Sequence, residues 1–148
     1  MSVLLPFTIK KRIGFLLSDP IDRKFVLFKI LQNGSKIEPI NLIHFPALLP
    51  REAAFAASNT NLILKGNSIF IVSGGIKSRV FVSRDKGNSW NVYNTPIIQG
   101  KAMTGAFTAD FYDENIGVIA GGNYEDQNDN SSNKAITIDG GKTWKLIA

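Results

Sequence analysis

Short apolar runs separated by turn residues organise this chain, and no segment sustains the 3.6-residue period of an amphipathic helix. By that pattern the first group of strands falls at Phe7 to Ile9, Ile13 to Leu17, Phe25 to Ile30 and about Ile37 to Ile43. A proline-bounded linker follows. The second group reads as Ala53 to Ala57 or Leu62 to Lys65, then Ser68 to Val72, Arg79 to Val82 and Ser89 to Tyr93, with Gly66-Asn67 as a hairpin turn. The third reads as Ala106 to Tyr112, Gly117 to Ala120, Ala135 to Ile138 and Thr143 to Ile147. Two stretches interrupt the strands: Asn41 to Glu52, with Pro46 and Pro50, and Asn123 to Asn133, rich in Asn, Asp, Ser and Gln. The pattern predicts an all-β chain of about three four-stranded antiparallel units, at approximately residues 1–45, 53–95 and 104–148.

A repeated motif explains the three groups. Ser83-Arg84-Asp85-Lys86-Gly87-Asn88-Ser89-Trp90 returns as Thr137-Ile138-Asp139-Gly140-Gly141-Lys142-Thr143-Trp144, 54 positions later. A decayed copy lies one period upstream, where Gly34 keeps the glycine register, Gln32 replaces the aspartate and Ile37 replaces the tryptophan. Each copy sits between two strand-like runs, so it reads as a turn. The Asp carboxylate can accept hydrogen bonds from amides a few residues on, and Gly supplies a positive φ that other residues resist. The Trp opens the return strand, where its ring can be buried and its indole N–H satisfied.

The motif resembles the Asp-box, or BNR repeat, of sialidase-like β-propellers. The wider chain is most similar to the YVTN/BNR-type propellers related to the photosystem II assembly and stability factor, through Gly14 to Pro20, Glu52 to Thr60 and Gly117 to Tyr124. The likeness runs from about Phe7 to Trp144. It implies four-stranded propeller blades in which Ser83, Asp85, Gly87, Trp90, Thr137, Asp139, Gly141 and Trp144 are structural. Members of that family are about twice this long, and closed propellers typically need four to eight blades. The expectation is therefore a single partial propeller unit over residues 1–148, either a piece of a propeller or a subunit that closes by self-association.

Composition removes several classes of function. Cysteine is absent, so there is no disulfide framework and no thiolate metal site. The net charge of +5 comes from scattered Lys and Arg, with Lys10 to Arg12 the one cluster and no aromatic stacking platform, which argues against nucleic acid. In the opening segment the basic residues follow the apolar run, the reverse of a signal peptide, and no apolar stretch approaches the roughly 20 residues of a membrane span. A soluble chain without a signal peptide is expected, its compartment undetermined.

Catalytic chemistry is poorly supplied. The sialidase resemblance would require an arginine triad, a tyrosine nucleophile with a glutamate partner, and a Phe/Tyr-Arg-Ile-Pro motif. That motif is absent, and only Arg12, Arg23, Arg51, Arg79 and Arg84 are present. His44 has no second histidine near it, so linker packing is its expected role rather than zinc ligation. Glu125, Asp126 and Asp129 lack the glycine-bearing loop of a calcium site, and Gly74-Gly75 and Gly121-Gly122 are followed by no Gly-Lys-Ser/Thr phosphate loop. No catalytic residue, metal site or cofactor is assigned. Candidate ligand-binding residues are Asp19, Arg51, Glu52, Asn59, Arg79, Asn123 and Tyr124, with Ser18, Gly74 and Gly75 beside them. The paired glycines would let a ligand approach the backbone. The functional expectation is a noncatalytic scaffold that presents loops at one face to a protein or peptide partner. The alternatives are a glycan-binding or glycoside-hydrolase-like fragment, which needs paired carboxylates about 5 to 9.5 Å apart, and a remnant without independent function.

Overall fold

Strands make up about half of the described chain in a computed structural model that describes residues 13–55 and 58–147, with the backbone of Val3–Leu4. The strand read at Phe7 to Ile9, the basic run Lys10 to Arg12, and Ala56 and Ala57 lie outside the described residues. Among the described residues there is no α-helix.

In chain order, β1 (Val3–Leu4), β2 (Gly14–Ile21), β3 (Lys24–Leu31) and β4 (Lys36–Pro39) form an antiparallel meander, sheet 1. The short β5 (Glu52–Ala53) follows and joins a later sheet. Sheet 2 is built from β6 (Leu62–Lys65), β7 (Ser68–Val72), β9 (Arg79–Ser83) and β10 (Asn91–Asn94), with β8 (Gly74–Gly75) an excursion between β7 and β9. Sheet 3 runs through β11 (Thr104–Phe111), β12 (Gly117–Asn123), β13 (Lys134–Thr137) and β14 (Lys145–Leu146), and β8 and β5 extend it beyond β11. The chain is thus all-β, with three antiparallel sheets. Of the two readings for the opening strand of the second group, Leu62–Lys65 pairs with β7, whereas Glu52–Ala53 pairs with β8.

Alternating side chains stack the three sheets into layers. Sheet 2 lies in the middle and is apolar on both faces, which is why Ser68–Val72 is a continuous buried run. Ile69, Ile71 and Phe81 join Phe15, Leu17, Phe25 and Leu27 of sheet 1 in one core. Phe70, Val72, Val80 and Val82 join Ala109, Phe111, Ile119 and Ala135 of sheet 3 in a second. Phe70 and Phe111 stack across that second layer, ring centroids 3.7 Å apart. The linker contributes Phe45 and Leu48 to the first core, and Phe45 stacks on Phe81 at 5.1 Å.

The repeat of the sequence is a repeat of register. Phe70 opposite Val82 in sheet 2 becomes Val118 opposite Ile136 in sheet 3, and Val72 opposite Val80 becomes Ala120 opposite Lys134. All three motif copies connect the last two strands of their sheets in chain order, the decayed one as the tight turn Gln32–Gly34 between β3 and β4.

Candidate functional site

The two intact motif turns are superimposable in their bonding. The Ser83 hydroxyl donates to Asp85 Oδ1 at 2.8 Å, and the Thr137 hydroxyl donates to Asp139 Oδ1 at 2.9 Å. Each carboxylate then accepts the amide and the hydroxyl of the residue four positions on: Ser89 at 2.8 and 2.6 Å, Thr143 at 2.9 and 2.6 Å. The Gly87 and Gly141 amides donate back to the Ser83 and Thr137 hydroxyls at 2.7 and 2.9 Å. Trp90 and Trp144 close each turn by donating their indole N–H to the Gly87 and Gly141 carbonyls, both at 3.0 Å. Both carboxylates therefore have their acceptor positions occupied from within the turn. Trp90 packs edge-on against Phe45 in the first core, and Trp144 edge-on against Phe111 in the second.

This bonding favours the ionised carboxylate. Donation from the Ser89 hydroxyl, and then from its amide, brings the Asp85 pKa down to about 2. At Asp139 burial works against ionisation, but the Thr143 hydroxyl and amide and the Thr137 hydroxyl outweigh it, and the pKa again falls to about 2.

A second set of charged residues is buried and self-contained. Glu52, 4% exposed, accepts from Arg79 Nε at 2.8 Å and Nη2 at 2.6 Å in a two-pronged ion pair. The Ser73 hydroxyl donates to Glu52 Oε1 at 2.6 Å and the Leu49 amide to Oε2 at 2.8 Å. Arg79 spends a further N–H on the Ala47 carbonyl at 2.9 Å and lies over the Phe81 ring. Of the sequence-derived ligand candidates, Glu52 and Arg79 are thus committed to each other. They pin the 41–52 linker to sheet 2.

The residues flanking Glu52 border a cleft of about 390 Å³ whose lining includes Arg51, Phe55, Gly74, Gly75, Met103 and Tyr124. It gathers Arg51 and Tyr124 from the candidate list, and Gly74 and Gly75 with them. Asp19 lies on β2 in sheet 1, Asn59 is exposed in the loop before β6, and Asn123 ends β12, its side chain accepting the Glu125 amide; none of these three lines the cleft. The reason for glycine at 74 and 75 is the approach of neighbouring strands. A Cβ on Gly75, whose φ is +104°, would stand 2.1 Å from the Arg51 carbonyl oxygen, and one on Gly74 2.7 Å from the Thr104 carbonyl oxygen.

Arg51 itself holds a left-handed conformation, φ +61°, and its side chain is exposed. Its carbonyl accepts the Ile76 amide. Tyr124, 54% exposed, is anchored by its amide to the Met103 carbonyl, and its ring borders Phe55 at 5.4 Å, which in turn meets Phe107 at 4.4 Å. A bulge in β11 between Ala106 and Thr108 frees Phe107 for that contact.

Elsewhere the polar loops satisfy themselves. Asp126 accepts the Asn128 amide and Asp129 the Ser131 amide and hydroxyl, so the 123–133 loop folds as successive tight turns. His44 is exposed at the edge of a smaller cleft of about 240 Å³ that Trp90 also lines. Linker packing falls instead to its neighbour Phe45.

One structural residue escapes sequence reasoning. Arg84, the variable position of the second motif copy, reaches out of its turn to the Glu114 carbonyl at 2.5 Å and the Gly140 carbonyl at 2.9 Å, with its guanidinium over Phe70. It ties sheet 2 to the motif turn of sheet 3. No local signal announces a contact 56 residues away. No family model and no curated protein matches the chain.

Proposed function

We infer that this chain is a noncatalytic scaffold, its three sheets being Asp-box blades of a partial β-propeller, that binds a protein or peptide partner at the Arg51–Tyr124 cleft. One observation carries the reading: among the described residues the cleft lining holds a guanidinium and exposed aromatic and apolar surface but no carboxylate, histidine or cysteine. The Tyr124 and Thr104 hydroxyls have no carboxylate or histidine among the described lining residues to activate them, so the cleft is better equipped to hold a ligand than to transform one. Most glycoside hydrolysis needs two carboxylates flanking the scissile bond, and the sialidase route a tyrosine with a glutamate partner. Glu52, between the lining residues Arg51 and Ala53, is buried in its ion pair with Arg79. The blade reading draws its support from the constant register of the three sheets and the shared position of the motif turns.

Selection of a displayed peptide library on the purified protein tests the reading. Enriched peptides should lose most of their affinity on Tyr124→Ala, because that ring forms the exposed wall of the cleft. Turnover of a fluorogenic glycoside by the purified chain, or peptide binding indifferent to Tyr124→Ala, would contradict it.

A further inference from the structure

The chemistry of the cleft narrows what it can hold. Among the described lining residues only Arg51 carries a formal charge. Glu52, the next residue along the chain, is already paired with Arg79. Among the described residues no carboxylate pairs with Arg51, which leaves its planar fork of donors for an incoming group. A carboxylate matches that fork with two parallel hydrogen bonds and one compensating charge.

The walls decide what the carboxylate is attached to. Ala53, Phe55, Met103 and the Tyr124 ring are apolar or aromatic, and the Thr104 hydroxyl already donates to the Lys101 carbonyl at 2.9 Å. A sugar acid would place several hydroxyls against surfaces that offer them few partners. An aliphatic or aromatic body gains from the same surfaces. A volume of about 390 Å³ lies at the small end of ligand pockets, enough for one or two residues of a peptide.

The backbone supports the same assignment. A non-glycine residue at φ +61° is under strain that glycine would relieve, yet this lining position carries a long cationic side chain. The Glu52 network on one side and the Ile76 amide on the other hold the segment in place.

We propose that the cleft is a carboxylate-binding pocket in which Arg51 grips the anion and Phe55, Met103 and Tyr124 enclose an apolar body, the anion being a peptide C-terminus or a small apolar carboxylic acid. The proposal rests on the reading of this cleft as the binding face of a noncatalytic scaffold, and its test separates the two.

The test titrates the protein with N-acetyl-leucine and N-acetyl-leucinamide, and with one leucine-ended hexapeptide as its acid and as its amide, by calorimetry. Each acid should bind at least about tenfold more tightly than its amide, the scale of losing a charge-assisted bond. Arg51→Gly should abolish that preference while leaving the melting temperature equal to or above that of the wild type, because glycine accepts the positive φ. A hexapeptide acid much tighter than acetyl-leucine identifies the peptide C-terminus as the source, and equal affinities identify the small acid. Acid and amide binding alike, or an acid preference that survives Arg51→Gly, overturns the carboxylate assignment, and selected peptides that still depend on Tyr124 would then keep the scaffold reading. Acetyl-leucine binding through Arg51 with no peptide binding would do the reverse.

Discussion

Asp85 and Asp139 set the behaviour of the motif at the residue scale. Both have folded-state pKa values near 2, below the ordinary carboxylate value of 3.8. A depressed folded-state pKa contributes stability that is present above the unfolded value and is lost as pH falls through the folded one. Melting temperatures measured between pH 5 and pH 2 should therefore drop most steeply from about pH 4 downward. The Asp85→Asn/Asp139→Asn double variant should flatten that limb, and an unchanged slope would contradict the assignment. Breaking the buried Glu52–Arg79 pair has a different signature. Glu52→Gln leaves a mostly buried guanidinium without its counter-charge and should cost about 3 to 5 kcal/mol in urea unfolding. The motif is legible in the sequence because its bonds span four residues or fewer. The Glu52–Arg79 pair, 27 residues apart, and the reach of Arg84 to Gly140 are not, since each depends on how separate sheets come together.

Elements were readable in proportion to how well they bury an alternating or continuous apolar run. Ser68–Val72 and Arg79–Ser83 stand where the pattern places them, within a residue, because sheet 2 is covered on both faces. The two-residue strands β5 and β8 carry no such pattern. Glu-Ala and Gly-Gly become strands only because β11 offers an edge and glycine permits the approach. That cause makes Gly75 a sensitive position. Gly75→Ala forces a Cβ toward the Arg51 carbonyl at positive φ and should cost at least about 2 kcal/mol in chemical denaturation, while an exposed Gly100→Ala, with nothing within 4 Å of its Cβ, suffers only the strain of its own φ. The two tryptophans differ by burial. Trp90, 9% exposed between sheets 1 and 2, should cost about 3 to 5 kcal/mol as Trp90→Ala, and the more open Trp144 less.

Across the whole molecule the two outer faces of the stack are unlike. The outer face of sheet 1 presents Leu16, Phe28, Ile30 and Ile37, none of them part of either core. The outer face of sheet 3 puts Asp110 beside Val118, and Lys134 and Lys145 on either side of Ile136, where the matching face of sheet 2 has Ile63, Phe70 and Val80. Head-to-tail closure of two copies would bury those charges at a cost, whereas two sheet 1 faces match each other about a twofold axis. Light scattering should accordingly report a dimer that Phe28→Asp converts to monomer; a wild-type monomer at high concentration would exclude that contact. The motif aspartates build turns within sheets 2 and 3, and we propose that ligand recognition lies elsewhere, at the Arg51 cleft. Thermal unfolding of Asp139→Ala tests that turn-building role most directly. Asp139→Ala should unfold in a cooperative transition at a clearly lower temperature than the wild type, and an unchanged midpoint would contradict the structural role of Asp139.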